Sequence, residues 1–203
     1  GRTELMEALA GRDEFVSGDV RLNGRSIKNL SIRERVAQGL GLVPEDRQRD
    51  GLVQLMTVGR NLSLSSLGRI TRNLIVRRHV ENELVAQQIR DVRVKTSGPG
   101  ALITSLSGGN QQKVVIGRVL MTQPEVILLD EPTRGIDVGA KGEIFALLFE
   151  QAKHGLAVLY VTSEVGEALT ASHRIIVMRK GRIVREFDPR TASREEVMAA
   201  SGE

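Results

Sequence analysis

The sequence predicts a three-layer α/β domain with a mostly parallel sheet and a helical subdomain inserted into it. Short apolar runs at Leu40 to Val43, Val126 to Leu129, Leu156 to Val161 and Ile175 to Met178 read as strands. Helix-like stretches at 139–153 and 164–171 lie between the later ones. Strands alternating with helices imply a parallel sheet covered on both faces. From about Val58 to Gln123 the signals are instead mostly helical, with Val80, Leu84 and Ile89 near one face among charged residues. The division that follows is an α/β core over 1–57 and 124–203, with the helical subdomain over 58–123.

The elements read in order. The chain opens at Gly1-Arg2-Thr3 without a Met or a preceding strand, which suggests an N-terminally truncated part of a longer protein, and Glu4 to Ala10 is helix-like. Gly18 to Leu22 is a short strand entering the Asn23-Gly24 turn. Ser31 caps a short helix to Gln38, which Gly39 stops. Leu40 to Val43 is a buried strand ending at Pro44, followed by a polar turn from Glu45 to Gly51. Thr96 to Gly100 is a loop.

At 203 residues the chain can bury a real core, and 40% hydrophobic with 27% charged residues is ordinary for a globular domain. With no Cys, disulfides, thiolate catalysis and cysteine-ligated zinc are excluded. No apolar run approaches the roughly 20 residues of a membrane-spanning helix, so a membrane role would act through a partner. The net charge is +4, and Arg69, Arg72, Arg77 and Arg78 form the densest basic patch, which reads as a solvated helix face. Five scattered aromatics offer no platform for stacking bases.

Two neighbouring segments carry chemistry. Ser107 can cap the helix that follows, and Gly108 and Gly109 let its backbone approach an anion, so that free amides and the positive helix end favour phosphate. Read alone, this is more simply an ordinary capped helix after a glycine turn, and the acidic strand that follows reverses that. Val126 to Leu129 has the character of a strand buried on both faces, which puts Asp130 at its C-terminal end, where open α/β sheets bind ligands. A carboxylate there can hold Mg²⁺, and Glu131 beside it could polarise an attacking water. Together the two segments point to a nucleotide.

Leu106-Ser107-Gly108-Gly109-Asn110 and the strand ending in Asp130-Glu131 resemble the ATP-binding-cassette family, with its L-S-G-G-Q signature and its acidic Walker B strand. Asn110 stands where the signature usually has Gln. With the Pro44-Glu45-Asp46-Arg47 turn and Thr133-Arg134-Gly135-Ile136-Asp137, the chain is similar over nearly its whole length to the second cassette of tandem-cassette ATPases in bacterial monosaccharide importers. The resemblance implies a P-loop type fold, with Gly1, Arg2 and Thr3 as the tail of a Walker A loop. Arg2 replaces its usual Lys, a planar fork in place of a compact ammonium, while Thr3 keeps the hydroxyl that contacts Mg²⁺. Glu45 falls where Gln is usual, either a water-mediated Mg²⁺ ligand or a solvated turn. Asp137 matches the loop that crosses to the opposing cassette. Ser163 takes the place of the switch histidine and lacks imidazole chemistry.

The same resemblance implies ATP and Mg²⁺ as cofactors, ATPase activity in an importer, and a place on the cytoplasmic face of the membrane. Its partners would be a second cassette, integral membrane permease subunits and, indirectly, a periplasmic solute-binding protein. Nucleic acid is not an expected partner. Because Arg2 and Ser163 both weaken the cassette's own site, this half is expected to be degenerate and these residues by themselves inactive, yet to present Ser107, Gly108 and Gly109 to ATP held by the partner. Two rivals remain: a soluble cassette ATPase acting on nucleic acid or the ribosome, and a non-catalytic regulatory cassette.

Overall fold

The computed structural model describes residues 1–14 and 17–202. In chain order they form α1 (Arg2–Ala10), the hairpin β1 (Arg21–Leu22) and β2 (Arg25–Ser26), α2 (Ile32–Ala37), β3 (Leu40–Val43), α3 (Val58–Ser63) and α4 (Leu67–Ile70). A second hairpin, β4 (Thr71–Arg72) and β5 (Ile75–Val76), leads to α5 (Arg78–Asp91) and α6 (Gly108–Leu120). The chain continues through β6 (Val126–Asp130), α7 (Val138–Lys153), β7 (Ala157–Val161), α8 (Val165–Ala171), β8 (Ile175–Arg179), β9 (Arg182–Phe187) and α9 (Arg194–Ser201).

β6 is the middle of a parallel sheet ordered β3-β6-β7, in register Val43 to Leu129 on one side and Asp130 to Val161 on the other. Its side chains alternate between two cores, as a strand buried on both faces must. Ile127 and Leu129 join the larger one, with Ile144, Leu147 and Leu148 of α7 and Val114, Val115 and Ile116 of α6. Leu128 points the other way, against Met6 and Ala10 of α1 and Ile27. The layers are therefore α1, sheet, and α6 with α7.

The larger core runs without a break from β6 into Val58 and Leu62 of α3 and Val85 of α5. Polar ties reinforce it: the Arg118 guanidinium of α6 donates to the main-chain oxygen of Asn61 at 2.7 Å and to its side-chain oxygen at 2.5 Å. On the other face buried Arg35 donates to the carbonyls of Ala8 (2.6 Å) and Leu9 (2.8 Å), the last turn of α1, and to Lys28 and Leu30. A guanidinium placed there satisfies helix-end carbonyls and suits the negative end of the dipole. It thereby ties down the C-terminal end of α1, whose N-cap is Gly1.

Two features depart from the sequence reading. Ile175 to Arg179 does not join the parallel strands but pairs antiparallel with β9, a strand the sequence reading did not name. The Lys180-Gly181 turn, both residues with positive φ (48° and 75°), suits a two-residue hairpin. The hairpin then buries Ile175, Val177 and Phe187 against Val197 of α9 and Leu169 of α8. The region 58–123 is also interrupted by the β4–β5 hairpin, so the basic patch is not one helix face: Arg72 lies on β4, and Arg77 and Arg78 sit at the start of α5. Among the described residues no helix is long and apolar enough to cross a membrane.

Candidate functional site

At the C-terminal end of the sheet, Asp130 is 2% exposed, and its Oδ1 has no hydrogen-bond partner among the described residues. Burial pushes its carboxyl above the ordinary range, opposed by the Thr3 hydroxyl and by the positive charge of Arg2. An orphaned carboxylate oxygen beside a hydroxyl is a donor set for a hard, oxygen-seeking cation. No group of three or more His, Asp or Glu among the described residues could cage a metal alone. Mg²⁺, a hard cation, takes one or two carboxylates and completes its shell with water and phosphate.

Glu131 follows in the left-handed region, at φ 45°, where a residue with a Cβ pays about 1–2 kcal/mol. The turn is closed by the amide of Arg134, which donates to the Glu131 carbonyl at 3.1 Å, while the amide of Glu131 donates to Val161 at 3.0 Å. The side chain so directed accepts a hydrogen bond from the Ser163 hydroxyl at 3.2 Å. Arg2 Nη1 donates to the Thr162 carbonyl at 2.7 Å, so the guanidinium is tied to the end of β7. Gly1, Arg2, Thr3, Asp130, Glu131 and Ser163 thus come together around two strand ends. Glu45 is engaged elsewhere, in an ion pair with Arg134, and a metal would have to compete with that cation for it.

The second group forms where α6 and α7 begin. The Ser107 hydroxyl accepts from the amide of Asn110 (3.5 Å) and from its side-chain Nδ2 (3.0 Å), and the Ser107 carbonyl accepts from the amide of Gln111. Among the described residues, the amides of Gly108 and Gly109 remain as the free donors of that first turn. Asp137 caps α7, accepting from Ala140 N at 2.9 Å. The two helix starts touch: a Cβ built on Gly109 would lie 2.4 Å from the Cβ of Ala140. Arg47 joins them from the turn after β3, donating to the carbonyls of Arg134 (3.1 Å) and Gly135 (3.4 Å) and approaching Gly108. The structure therefore divides the residues singled out in the sequence into two clusters, with the 131–137 turn running from one to the other.

Sequence reasoning missed two supports. Glu167 in α8, 9% exposed, accepts from the Thr133 hydroxyl with both oxygens (2.7 and 2.9 Å), from the Thr162 hydroxyl (2.7 Å) and from Lys141 Nζ (3.2 Å). It ties the 131–137 turn, the end of β7 and the start of α7 to one carboxylate. The other support is Lys113, 2% exposed on α6, whose ammonium donates to Arg93 O (3.1 Å) and pairs with Glu143 of α7. Lys95 also pairs with Glu143 (3.1 Å), and its amide donates to Asn110 Oδ1 (2.8 Å). No local signal marks either Glu167 or Lys113, because most of their partners are far along the chain.

Lys113 first, and Lys95 with it, hold the Glu143 carboxyl down at about 2, against an ordinary 4.5. A lowered carboxyl contributes stability that is complete above its unfolded value and is lost as pH falls through its folded one. The stability difference between the natural chain and Glu143→Gln is therefore expected to be constant near neutrality and to fade as pH drops from about 4.5 to about 2. Urea unfolding of both at a series of pH values checks this. A difference unchanged across that window means that the ion pairs do not form in solution.

The ABC transporter family model matches residues 1–134. The chain is 42% identical over 202 residues to a xylose import ATP-binding protein of Brucella abortus, covering 99% of this chain and 40% of that protein. It is 45% identical over 202 residues, with the same coverage, to a ribose import ATP-binding protein of Rhodopirellula baltica. The chain thus spans about 40% of the length of the curated relatives it matches. Among solved structures, a nucleotide-free cassette of an ABC transporter superposes with TM-score 0.80 at 23% identity, covering 100% of this chain and 80% of that one. A dimeric cassette bound to ADP and Pi gives 0.79 at 24% identity, over 95% and 82% of the two chains. At those identities the likeness concerns the fold.

Proposed function

The chain belongs to the ABC transporter family, and from that membership we propose that it is one nucleotide-binding half of a two-cassette ATPase driving import of a monosaccharide or similar small solute. Its relatives carry names of xylose and ribose import ATP-binding proteins. The reading places it on the cytoplasmic face of a membrane, beside permease subunits that receive solute from a periplasmic binding protein. The division into an α/β core at 1–57 and 124–203 and a helical subdomain at 58–123 belongs to the same proposal.

The carrying observation is that the two clusters differ in what their polar groups are already bonded to. Ser107 is exposed, Gly108 is half-buried and Gly109 is buried against α7, and the first-turn amides at the positive end of this 13-residue helix would meet the phosphates of ATP held by a second cassette chiefly through Ser107 and Gly108. In the other cluster one arm of the Arg2 guanidinium donates to the Thr162 carbonyl and Ser163 offers only a hydroxyl to Glu131. Asp130 and Thr3 would hold Mg²⁺, which when bound offsets charge on the phosphate oxygens. Glu131 would orient water at this cluster, and Asp137 would face the opposing cassette from the head of α7. Hydrolysis would thus run mainly at the site that this chain's signature completes.

Steady-state turnover of the full two-cassette protein tests the assignment. Ser107→Arg, and separately loss of the partner cassette's acid equivalent to Glu131, are each expected to lower turnover by about 10²-fold or more, the usual loss for a positioned group. Glu131→Gln is expected to lower it by a much smaller factor. The reverse ranking, with Glu131→Gln abolishing turnover and the partner's acid dispensable, overturns the division of roles.

A further inference from the structure

The β4–β5 hairpin turns through Asn73 and Leu74, both left-handed, with φ 51° and 65°. A two-residue turn of this kind normally takes Asn-Gly, because its second position also needs positive φ. Asn73 suits its place. Leu74 does not: its Cβ makes the left-handed conformation cost about 1–2 kcal/mol. What that strain accompanies is exposure, since Leu74 is 97% exposed and the adjoining Ile75 70%. A single exposed leucine needs no explanation, but a strained one at a protruding tip invites a functional one.

The surroundings give the tip a sign. From Leu64 to Val80 there is no Asp or Glu, and there are four arginines, Arg69, Arg72, Arg77 and Arg78. Two of them brace the hairpin: Arg69 donates to Met121 O at 2.6 Å, and Arg77 donates to Arg69 O at 3.0 Å. Arg78 pairs with Glu81 yet keeps 68% of its side chain exposed. Arg72 is exposed, and its guanidinium makes no hydrogen bond or ion pair with any of the described residues. The result is an apolar point inside a basic collar, with Leu67, 42% exposed, at its base.

We propose that the β4–β5 tip is a contact for the anionic surface of a lipid bilayer, with Leu74 and Ile75 entering the interfacial layer and Arg72 and Arg78 engaging lipid phosphates. Apolar side chains that enter the headgroup boundary, joined to cations that meet anionic lipid, are the two attractions that hold interfacial segments on membranes. The guanidinium fork suits phosphate oxygens. A hairpin of this size can touch the interface and cannot span the bilayer. The contact is independent of the nucleotide reading, and it would orient the helical region toward the membrane whatever the transported solute is.

Co-sedimentation of the full-length protein with vesicles tests it, using phosphatidylcholine alone and phosphatidylcholine mixed with phosphatidylglycerol. Binding is expected only to the mixed vesicles and should weaken as salt is raised. Each unit of charge lost near such a surface weakens binding roughly fivefold, so Arg72→Glu, a change of two units, should weaken it about 25-fold. Leu74→Asn is the companion variant. Asn accepts the left-handed turn, so this protein should melt no lower than the natural one while binding about tenfold more weakly. Equal binding to both vesicle types, or wild-type binding by both variants, overturns the proposal. So does the case in which both variants bind vesicles normally but lose a co-purifying membrane protein, which would make the tip a protein contact. The vesicles hold neither permease nor nucleotide, so the outcome is read separately from that of the turnover experiments.

Discussion

Glu167→Ala is expected to destabilise the protein by about 3 kcal/mol, the scale for removing a buried carboxylate that several donors share. The carboxylate accepts from Thr133, which is 1% exposed, from Thr162 and from Lys141. Alanine leaves the Thr133 hydroxyl buried with no acceptor of comparable strength, and an unmet buried group costs more than the bond itself was worth. Lys141 keeps its second partner, Glu164, which caps the loss. Glu167→Gln preserves volume and one acceptor oxygen, so its effect should be roughly half. Thermal melting provides the check, since for a chain of this size 3 kcal/mol corresponds to a fall of about 6–12 °C. An alanine variant that melts within a degree or so of the natural chain would show that Glu167 bears no such role.

The second large effect concerns Gly109. Any side chain there meets α7, because the new Cβ would stand 2.4 Å from that of Ala140, and two packed helices cannot yield by a rotamer change. Gly109→Ala is therefore expected to push the starts of α6 and α7 apart at a cost of about 1–3 kcal/mol. On the two-cassette reading proposed above, it should lower ATP turnover of the full-length protein about 10²-fold, the scale for a misplacement of an ångström at a reacting centre. Two controls sharpen the test. Gly108→Ala brings its Cβ to 2.8 Å from the tip of Arg47, the end of a flexible side chain that can move aside, so it should cost far less. Ala140→Gly combined with Gly109→Ala removes one of the two clashing carbons and should restore most of the turnover. Failure of that rescue would mean that the glycine is needed for something other than the approach of the two helices.

Much of the scaffold could be read from the chain because its signals are local. β6 was legible as four consecutive apolar residues, since a strand covered on both faces has no polar side to display. α2 was legible from Ser31, whose hydroxyl accepts from Glu34 N while the Glu34 carboxylate accepts from the Ser31 amide. Ser107, Asp130 and Glu131 were found the same way, a cap and a strand end each being properties of neighbouring residues. Ile175 to Met178 looked like the other buried runs, and nothing in those four residues shows that β9, rather than the parallel sheet, is its hydrogen-bonding partner. The β4–β5 turn escaped notice because Asn73-Leu74 breaks the usual turn chemistry.

The sequence by itself determined the elements with local signals, such as β3, β6 and β7, and the caps of α2 and α6, because hydrophobic period, capping and turn preference act over a few residues. Tertiary structure decided which of those residues meet. It tied Arg2 to Thr162, engaged Glu45 with Arg134, buried Lys113 beside Glu143 and placed Glu167 among three partners up to 34 positions away. Such contacts depend on how helices and strands pack side by side, and a buried charge reveals itself only once its partner, distant in the chain, has been brought within hydrogen-bonding reach.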